Sequence, residues 1–416
     1  MRDAFIIGAY STEFRKWPDR SIKDLAREAY ENVLRDAGLD DGAAIECAWF
    51  GNCGMWVEGQ GSIRGQVCFA PLVQEGRFPA HVPMINVEAG CATASLALSG
   101  AWKEVSGGHA EVCLAMGAEK TFYPDAPEQS LALYNGGIDQ YDIPARDAFY
   151  RDAARSVGQS FAPSGDRTIF MDTYALQANW HMKNFGTTQR QIAAAAAKNH
   201  CHAVLNPKAQ YRFPMTTEEV LADRPVTFPL TRAMCSPLSD GAAAAIVVSG
   251  SFLAGMPVRI RERAVRIAAM GLSGGRYRRL DEPGLSRDAA QKAYRQAGLG
   301  PEHVDVAEVH DATSYCEIYQ AEMLGFCPDG KGGVFIESGA TTLGGDLPIN
   351  TSGGLVSKGH PVGATGLSMI YELTQQLRGE AEERQVESAR VALAENGGGV
   401  IGFDEAACVV TILTKE

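Results

Sequence analysis

No stretch of the sequence approaches the roughly 20 uninterrupted apolar residues that a membrane span needs, and none of its ten cysteines falls in a CxxC or other paired metal-ligand spacing. The first absence excludes a transmembrane helix, and the second argues against a structural zinc in this chain. Basic residues are scarce too: 38 Lys and Arg against 50 Asp and Glu leave a net charge of −12. That balance excludes nonspecific nucleic-acid or anionic-membrane binding, while leaving room for an anionic cofactor at a local basic patch. The cysteines, at positions 47, 53, 68, 91, 113, 201, 235, 316, 327 and 408, read as free thiols of a protein in a reducing cytoplasm. Met1-Arg2-Asp3-Ala4 runs straight into Phe5-Ile6-Ile7-Gly8, too short and too poorly flanked for a signal peptide, so a first strand is expected there.

What is present is a duplication. At 416 residues, 45% hydrophobic and 21% charged, the chain has room for two to three well-cored units. Ala29-Tyr30-Glu31-Asn32-Val33-Leu34-Arg35-Asp36-Ala37-Gly38-Leu39 is repeated in pattern by Ala289-Ala290-Gln291-Lys292-Ala293-Tyr294-Arg295-Gln296-Ala297-Gly298-Leu299, each a helix closed by a glycine suited to a left-handed cap. A strand follows each helix, at Cys47–Gly51 and Val304–Val309. A glycine-led helix start comes next, at Gly90-Cys91-Ala92-Thr93 and at Gly359-His360-Pro361-Val362-Gly363-Ala364-Thr365-Gly366. Strands at Val112–Gly117 and Arg390–Ala394, then Asp240–Val248 and Asp404–Ile412, complete the two series. Alternating strands and helices predict two α/β halves with mostly parallel sheets, and a site at strand ends and helix starts.

Residues 121–235 have no counterpart in the second half and are rich in Tyr, Trp, Phe, Arg and His. They are expected to form an inserted, partly helical lid domain, with about 125–167, rich in Gly, Pro and Asp, as loop. The halves are then 1–120 with 236–262, and 263–416.

Cys91 at a helix N-terminus would feel the backbone dipoles that lower a thiol pKa toward neutrality. His360 is expected at the matching position of the other helix, and the two would meet across a pseudo-twofold axis as nucleophile and activator. His310, with Asp311, ends the strand Val306–Val309 and is expected to donate to a developing oxyanion.

Asn86-Val87-Glu88-Ala89-Gly90-Cys91-Ala92, His310-Asp311 and Gly353-Gly354-Leu355-Val356-Ser357-Lys358-Gly359-His360-Pro361-Val362-Gly363-Ala364-Thr365-Gly366 together resemble the thiolase superfamily. The sterol-carrier-protein-type branch is the nearest in appearance, over essentially the whole chain. The resemblance implies a duplicated βαβαβαββ fold in five α-β-α-β-α layers, coenzyme A as a substrate with no metal in this chain, and cytoplasmic acyl-CoA metabolism. It implies cleavage of a β-ketoacyl-CoA through an acyl group on Cys91, with His360 taking the thiol proton and His310 and His360 lining an oxyanion hole. Ser236 would contact the pantetheine arm, and the backbone N–H of Cys91 and of a glycine in Gly397-Gly398-Gly399, assigned to Gly397 or Gly398, would stabilise the tetrahedral intermediate.

One element of the family pattern is missing. Thiolases of this kind carry a second cysteine as acid/base, in a CxG or an HDCF motif; here the positions read Glu395-Asn396-Gly397 and His310-Asp311-Ala312-Thr313. Glu395, Cys316 one helical turn past Ala312, and His360 acting twice are the replacements, with Glu395 preferred. Trp49–Met55, Ser62–Phe69 and Tyr134–Asp139 resemble thiolases that cleave benzoylsuccinyl-CoA to benzoyl-CoA and succinyl-CoA in aromatic degradation. A substrate of that kind would want a cation such as Arg64, Arg146 or Arg151 for its free carboxylate. A homodimer core, with or without a small zinc-ribbon/OB-fold partner subunit, is implied as well. The competing readings are a thiolase-like aldolase acting on a β-hydroxyacyl-CoA and a non-catalytic acyl-CoA-binding subunit.

Overall fold

The computed structural model describes residues 2–415. Its centre is one mixed sheet of nine strands: β1 (Ala4–Ser11), β2 (Cys47–Gly51), β3 (Met84–Val87), β4 (Val112–Glu119), β5 (Gly241–Ser249), β6 (Val265–Gly274), β7 (Val306–Glu308), β8 (Val391–Gly398) and β9 (Ala407–Thr414). They lie in the order β3-β2-β4-β5-β1-β6-β9-β8-β7. Beyond β7 a single parallel bridge joins Ala307 to Ile349. With that bridge counted as a vestigial strand, both halves carry their five strands in the order third, second, fourth, fifth, first. The first strands join the halves through two antiparallel pairs, Phe5 with Arg266 and Ile6 with Val265.

The expectation of mostly parallel sheets is corrected by this pairing. Only β2–β3, β2–β4 and β7–β8 are parallel; β1–β5, β4–β5, β6–β9, β8–β9 and β1–β6 are antiparallel. The short reversal at 399–406 turns β8 back into β9 without the crossover that parallel strands require. At the join, a twofold axis normal to the sheet sets equivalent strands antiparallel.

Period-two alternation divides the core. Ile6, Cys113, Ala115, Ala243, Ala245 and Val247 pack on a central layer made of Ala94, Leu98 and Ala101 in α3 (Thr93–Ser106) and Leu367, Ile370 and Leu373 in a later helix, Thr365–Arg378, together with Ala392, Ala394, Val409 and Leu413 of the other half. The intervening Ile7, Leu114, Met116, Ile246 and Val248 face α1 (Ile22–Ala37) and α2 (Arg64–Gln74). Leu393, Cys408, Val410 and Ile412 face the helix Leu285–Ala297. The result is five layers, α-β-α-β-α. The paired helices Ile22–Ala37 and Leu285–Ala297 both end on a left-handed glycine, Gly38 at φ 68° and Gly298 at φ 68°.

Residues 121–235 hold α4 (Pro127–Asn135), α5 (Ile143–Ser156), α6 (Ile169–Phe185) and α7 (Gln189–Val204). The first two occupy most of the stretch expected to be loop. Pro at the first turn of each, and Asp142 capping the second through Ala145 N, let a Pro- and Asp-rich sequence start helices instead of breaking them. The core of this segment is shared: Tyr150, Phe161, Leu176 and Ile192 pack with Tyr315, Ile318 and Phe403 of the second half. The helices after α7 that bear on the site are α8 (Leu285–Ala297), α9 (Gly354–Lys358) and α10 (Thr365–Arg378).

Each half brings its first strand onto its first helix through a glycine. A Cβ on Gly8 would stand 2.6 Å from Val33 O, and one on Gly271 would stand 2.0 Å from Ala289 O. Gly8→Ala and Gly271→Ala are each expected to lower stability by about 1–3 kcal/mol through overpacking, Gly271→Ala the more. Denaturant midpoints at constant m-value check this.

Candidate active site

Cys91 and His360 meet, but not from matching positions. Cys91 lies just before Ala92, the residue that caps α3. His360 lies four residues before Ala364, which caps α10. With the two Ala-Thr helix starts superposed, Cys91 corresponds to Gly363. The added chain is the short helix α9 and the turn after it: five residues separate Val87 from Thr93, whereas fifteen separate Ile349 from Thr365. That extra length carries the imidazole over to the thiol, with His360 Nε2 3.1 Å from Cys91 Sγ.

The proton arrangement follows from the partners. Thr365 Oγ1 donates to Pro361 O at 3.1 Å, as a first-turn threonine does, and lies 2.7 Å from His360 Nδ1. Its own proton is therefore committed, so it accepts from Nδ1–H and leaves the lone pair of Nε2 facing the thiol. Thr93, the equivalent residue of α3, also bonds backward, accepting from Ala89 N at 2.8 Å. The His360 backbone N–H donates to Ser239 Oγ at 3.0 Å, which donates onward to Gln210 Oε1 at 2.6 Å.

The electrostatics overturn the expected activated thiol. Burial pushes the Cys91 pKa up to about 12, although the N–H groups of Cys91 and Gly399 pull it the other way. Burial, then His310 and Lys358, holds His360 well below its usual range. Burial thus favours the neutral thiol and the neutral imidazole, and neither the dipoles nor a neighbouring cation offset the lost hydration. Gly399, rather than Gly397 or Gly398, is the glycine whose N–H reaches the sulfur, beside that of Cys91 itself. Gly398 serves by being bare: a Cβ there would stand 2.2 Å from Ala92 N and 2.2 Å from Ala89 O.

His310 follows β7, with its ring centroid 5.3 Å from that of His360. Its Nε2 is buried without a hydrogen-bond partner, and burial lowers its pKa to about 4. Its backbone is held by Glu395 Oε2, which accepts from His310 N at 3.0 Å, while Glu395 Oε1 accepts from Cys408 Sγ at 3.4 Å.

A cavity of about 680 Å³ opens onto Cys91 and His360, lined by Tyr134, Phe170, Met171, Tyr174, Phe213, Met215, Ser236, Leu238, Ala312 and Val356 among others. Ser236, expected to contact the pantetheine arm, is on its wall. Neither Glu395 nor His310 is among the residues that line the cavity; His310 stands beside His360, and Glu395, the preferred acid/base, is tied to the His310 backbone. Cys316 does not line the cavity either; it pairs with Thr313 Oγ1 at 3.3 Å. Nor do the arginines expected for a substrate carboxylate. Arg64 is spent on Asn52 O, Arg146 on Asp147 and Asp139 O, and Arg151 is exposed. The arginines that do line the cavity, Arg167 and Arg232, are held by Asp172 and Asp223.

With this geometry established, comparison with known proteins is decisive. Residues 4–227 match the family description "Thiolase, N-terminal domain", and residues 283–413 match "Thiolase C-terminal domain-like". The chain belongs to the thiolase family. It is 36% identical to sterol carrier protein 2 of Rattus norvegicus, over 97% of this chain and 73% of that protein. It is 33% identical to the acetyl-CoA acetyltransferase of Methanothermobacter thermautotrophicus, over 97% of this chain and 98% of that one. Benzoylsuccinyl-CoA thiolase subunit BbsB of Thauera aromatica is 28% identical, over 96% of this chain and 95% of that subunit. Among solved structures, the Ltp2-ChsH2(DUF35) aldolase superposes with a TM-score of 0.77 at 25% identity, over 99% of this chain and 98% of that one. The sterol-carrier-protein-type branch is the one the chain falls in.

Two further residues pack beside Cys91 and His360. Thr365 lies in Gly363-Ala364-Thr365-Gly366, and its place at the first helical turn is the signal that marks it. Glu119 has none. Buried at the end of β4, it accepts from Asn52 Nδ2 at 2.7 Å, Cys53 N at 2.9 Å and Gly54 N at 3.0 Å, and the Gly363 N–H from the other half adds to these. Burial still raises its pKa to about 7.

Two outcomes follow. Thr365→Val should leave the fold intact but free the His360 tautomer, slowing acylation of Cys91 by about tenfold, one hydrogen bond's worth, in single-turnover measurement. Burial and then Glu405 raise Glu395 to about 8 from the ordinary 4.5, so the folded state favours its neutral form. The stability this contributes is complete below pH 4.5 and lost as pH rises through 8. Glu395→Gln should therefore flatten part of the decline in denaturant midpoint over that window, with the other raised carboxyls, among them Glu119 and Glu405 at about 7 and Asp311 well above its ordinary range, contributing to the slope that remains.

Proposed function

We propose that this protein is a CoA-dependent thiolase that cleaves a β-ketoacyl-CoA through an acyl group on Cys91. The observation that carries the reading is the 3.1 Å contact between Cys91 Sγ and the lone-pair nitrogen of His360 at one wall of the large cavity. Cys91 attacks the β-keto carbon as His360 takes its proton, so the ion pair disfavoured at rest forms only with the substrate in place. The N–H groups of Cys91 and Gly399 stabilise the tetrahedral oxyanion. When the Cα–Cβ bond breaks, His310, as the neutral Nε2–H tautomer, donates to the enolate oxygen of the departing thioester.

The protons balance without a second thiol. The departing carbanion needs one proton, and His360 holds the one that left Cys91. In the second half-reaction His360 takes the proton of the CoA thiol as it attacks the acyl-cysteine, and returns it to the Cys91 thiolate. Of the replacements for the missing cysteine, His360 acting twice is therefore adopted. Glu395 is assigned a positioning role through the His310 backbone.

The aromatic and methionine-rich lining favours a bulky apolar acyl group. The relative named for benzoylsuccinyl-CoA supports an aromatic one, whereas the absence of an unpaired arginine on the cavity wall counts against recognition of a free carboxylate. The open edge of β3 suits pairing with a second copy, and the solved neighbour that contains a DUF35 chain supports a small partner subunit.

The aldolase reading also has an observation in its favour: that same neighbour is an aldolase, and Ala312 offers the cavity no thiol. One experiment separates the readings. Intact-mass measurement after incubation with a β-ketoacyl-CoA should show one acyl adduct, absent in Cys91→Ala, with turnover reduced at least about 10³-fold. Full activity of Cys91→Ala on a β-hydroxyacyl-CoA would instead establish the aldolase, and no adduct with no turnover the acyl-CoA-binding subunit.

A further inference from the structure

The same three side chains form a ligand set of a different kind. One ligand atom each from Cys91, His310 and His360 lie within 4.8 Å of one another, and the residues are only 7%, 2% and 2% exposed. A sulfur and two imidazole nitrogens are the donors that divalent zinc and cadmium prefer, and three protein ligands with one open position describe an accessible site for such an ion. His310 supplies the independent pointer, since its Nε2 is buried without a hydrogen-bond partner; to ligate through it the neutral ring carries its proton on Nδ1 instead.

We propose that Cys91, His310 and His360 also bind one soft divalent cation, Zn²⁺ or Cd²⁺, which displaces the Cys91 thiol proton and blocks the nucleophile reversibly. Metal–ligand bonds of about 2.0–2.3 Å place one sulfur and two nitrogens roughly 3.3–3.5 Å apart in a tetrahedral site, so the widest pair, within 4.8 Å, needs to close by at most about 1.5 Å and the 3.1 Å Cys91–His360 pair to open slightly. His360 already presents Nε2 with Nδ1–H anchored on Thr365 Oγ1, the outer-sphere support that metal-binding histidines use. Burial opposes a lone thiolate here, and a divalent charge beside the sulfur removes that opposition. Cys91 and His360 both line the cavity, so the fourth position opens toward it. The step is a ligand exchange without electron transfer: the S–H bond breaks, an S–metal bond forms and one proton goes to solvent. The ion is an inhibitor, not a cofactor, because the sulfur it holds is the one that must attack.

Titration of the full-length protein with Co²⁺, a spectroscopic stand-in for Zn²⁺, tests the site without any turnover. One Cys91-dependent ion per chain is expected, with a thiolate-to-cobalt charge-transfer band, four-coordinate visible absorbance, one proton released per ion and displacement by Zn²⁺. The band should vanish in Cys91→Ser and, independently of any folding defect in that variant, in wild-type protein alkylated at Cys91. His310→Ala should weaken binding by at least about tenfold. A band that survives alkylation of Cys91, or no band up to about 100 times the protein concentration, would overturn the proposal. The spectroscopic result stands apart from the acyl-adduct experiment, so either reading can fail alone.

Discussion

Two bare stretches of backbone meet at the centre of this molecule, and the site exists because nothing stands between them. Gly398 from the second half lies so close to Ala89 and Ala92 of the first that a Cβ would fall 2.2 Å from both, and a Cβ on Gly90 would fall 2.4 Å from Gly399 N. This contact sets the depth at which Cys91 sits and delivers the Gly399 N–H to its sulfur. It also makes each half dependent on the other. Glu119, at the end of a first-half strand, receives the Gly363 N–H from the segment that carries His360. Asp311, beside His310, accepts from Leu355 N at 2.6 Å at the start of that segment and from Asn199 Nδ2 at 2.8 Å in α7.

Burial sets the electrical state of everything at this seam. The thiol is pushed up, both imidazoles are pulled down, and Glu119, Glu395, Glu405 and Asp311 are raised toward their neutral forms, all with desolvation as the largest cause. A site that holds little charge at rest, yet has donors already placed at Cys91 and Gly399, spends little on reorganisation when charge appears during reaction. Its ionised partners are kept one step away, as in Lys358 with Glu308 at 3.3 Å and Lys198 with Glu317 at 2.7 Å. They brace the segments carrying His310 and His360 without lining the cavity.

Much of the architecture was legible because it repeats. Helix ends at Gly38 and Gly298, alternating strands and the two Ala-Thr helix starts are local signals, each set by a few neighbouring residues. The matching of Cys91 with His360 failed because α9 and the turn after it lengthen one copy only, and length in a connection is invisible to a comparison anchored on glycines. The helices at Pro127–Asn135 and Ile143–Ser156 were missed because Pro and Asp mark helix starts as readily as loops. Glu395 was preferred for its alignment to a family cysteine, and alignment says nothing of which way a strand residue is used. Its two oxygens are engaged by His310 N and Cys408 Sγ.

By itself the sequence determined the duplication and the α/β halves and singled out Cys91, His310 and His360 as candidates, because periodicity, glycine caps and short motifs are properties of adjacent residues. Only the tertiary structure decided that Cys91 and His360 sit 3.1 Å apart, that burial pushes the thiol up and the imidazole down, which glycine N–H reaches the sulfur, and that Glu395 accepts from the His310 backbone. Those outcomes depend on desolvation and on contacts between residues as far apart as 91 and 360. Neither is encoded in any local stretch of chain.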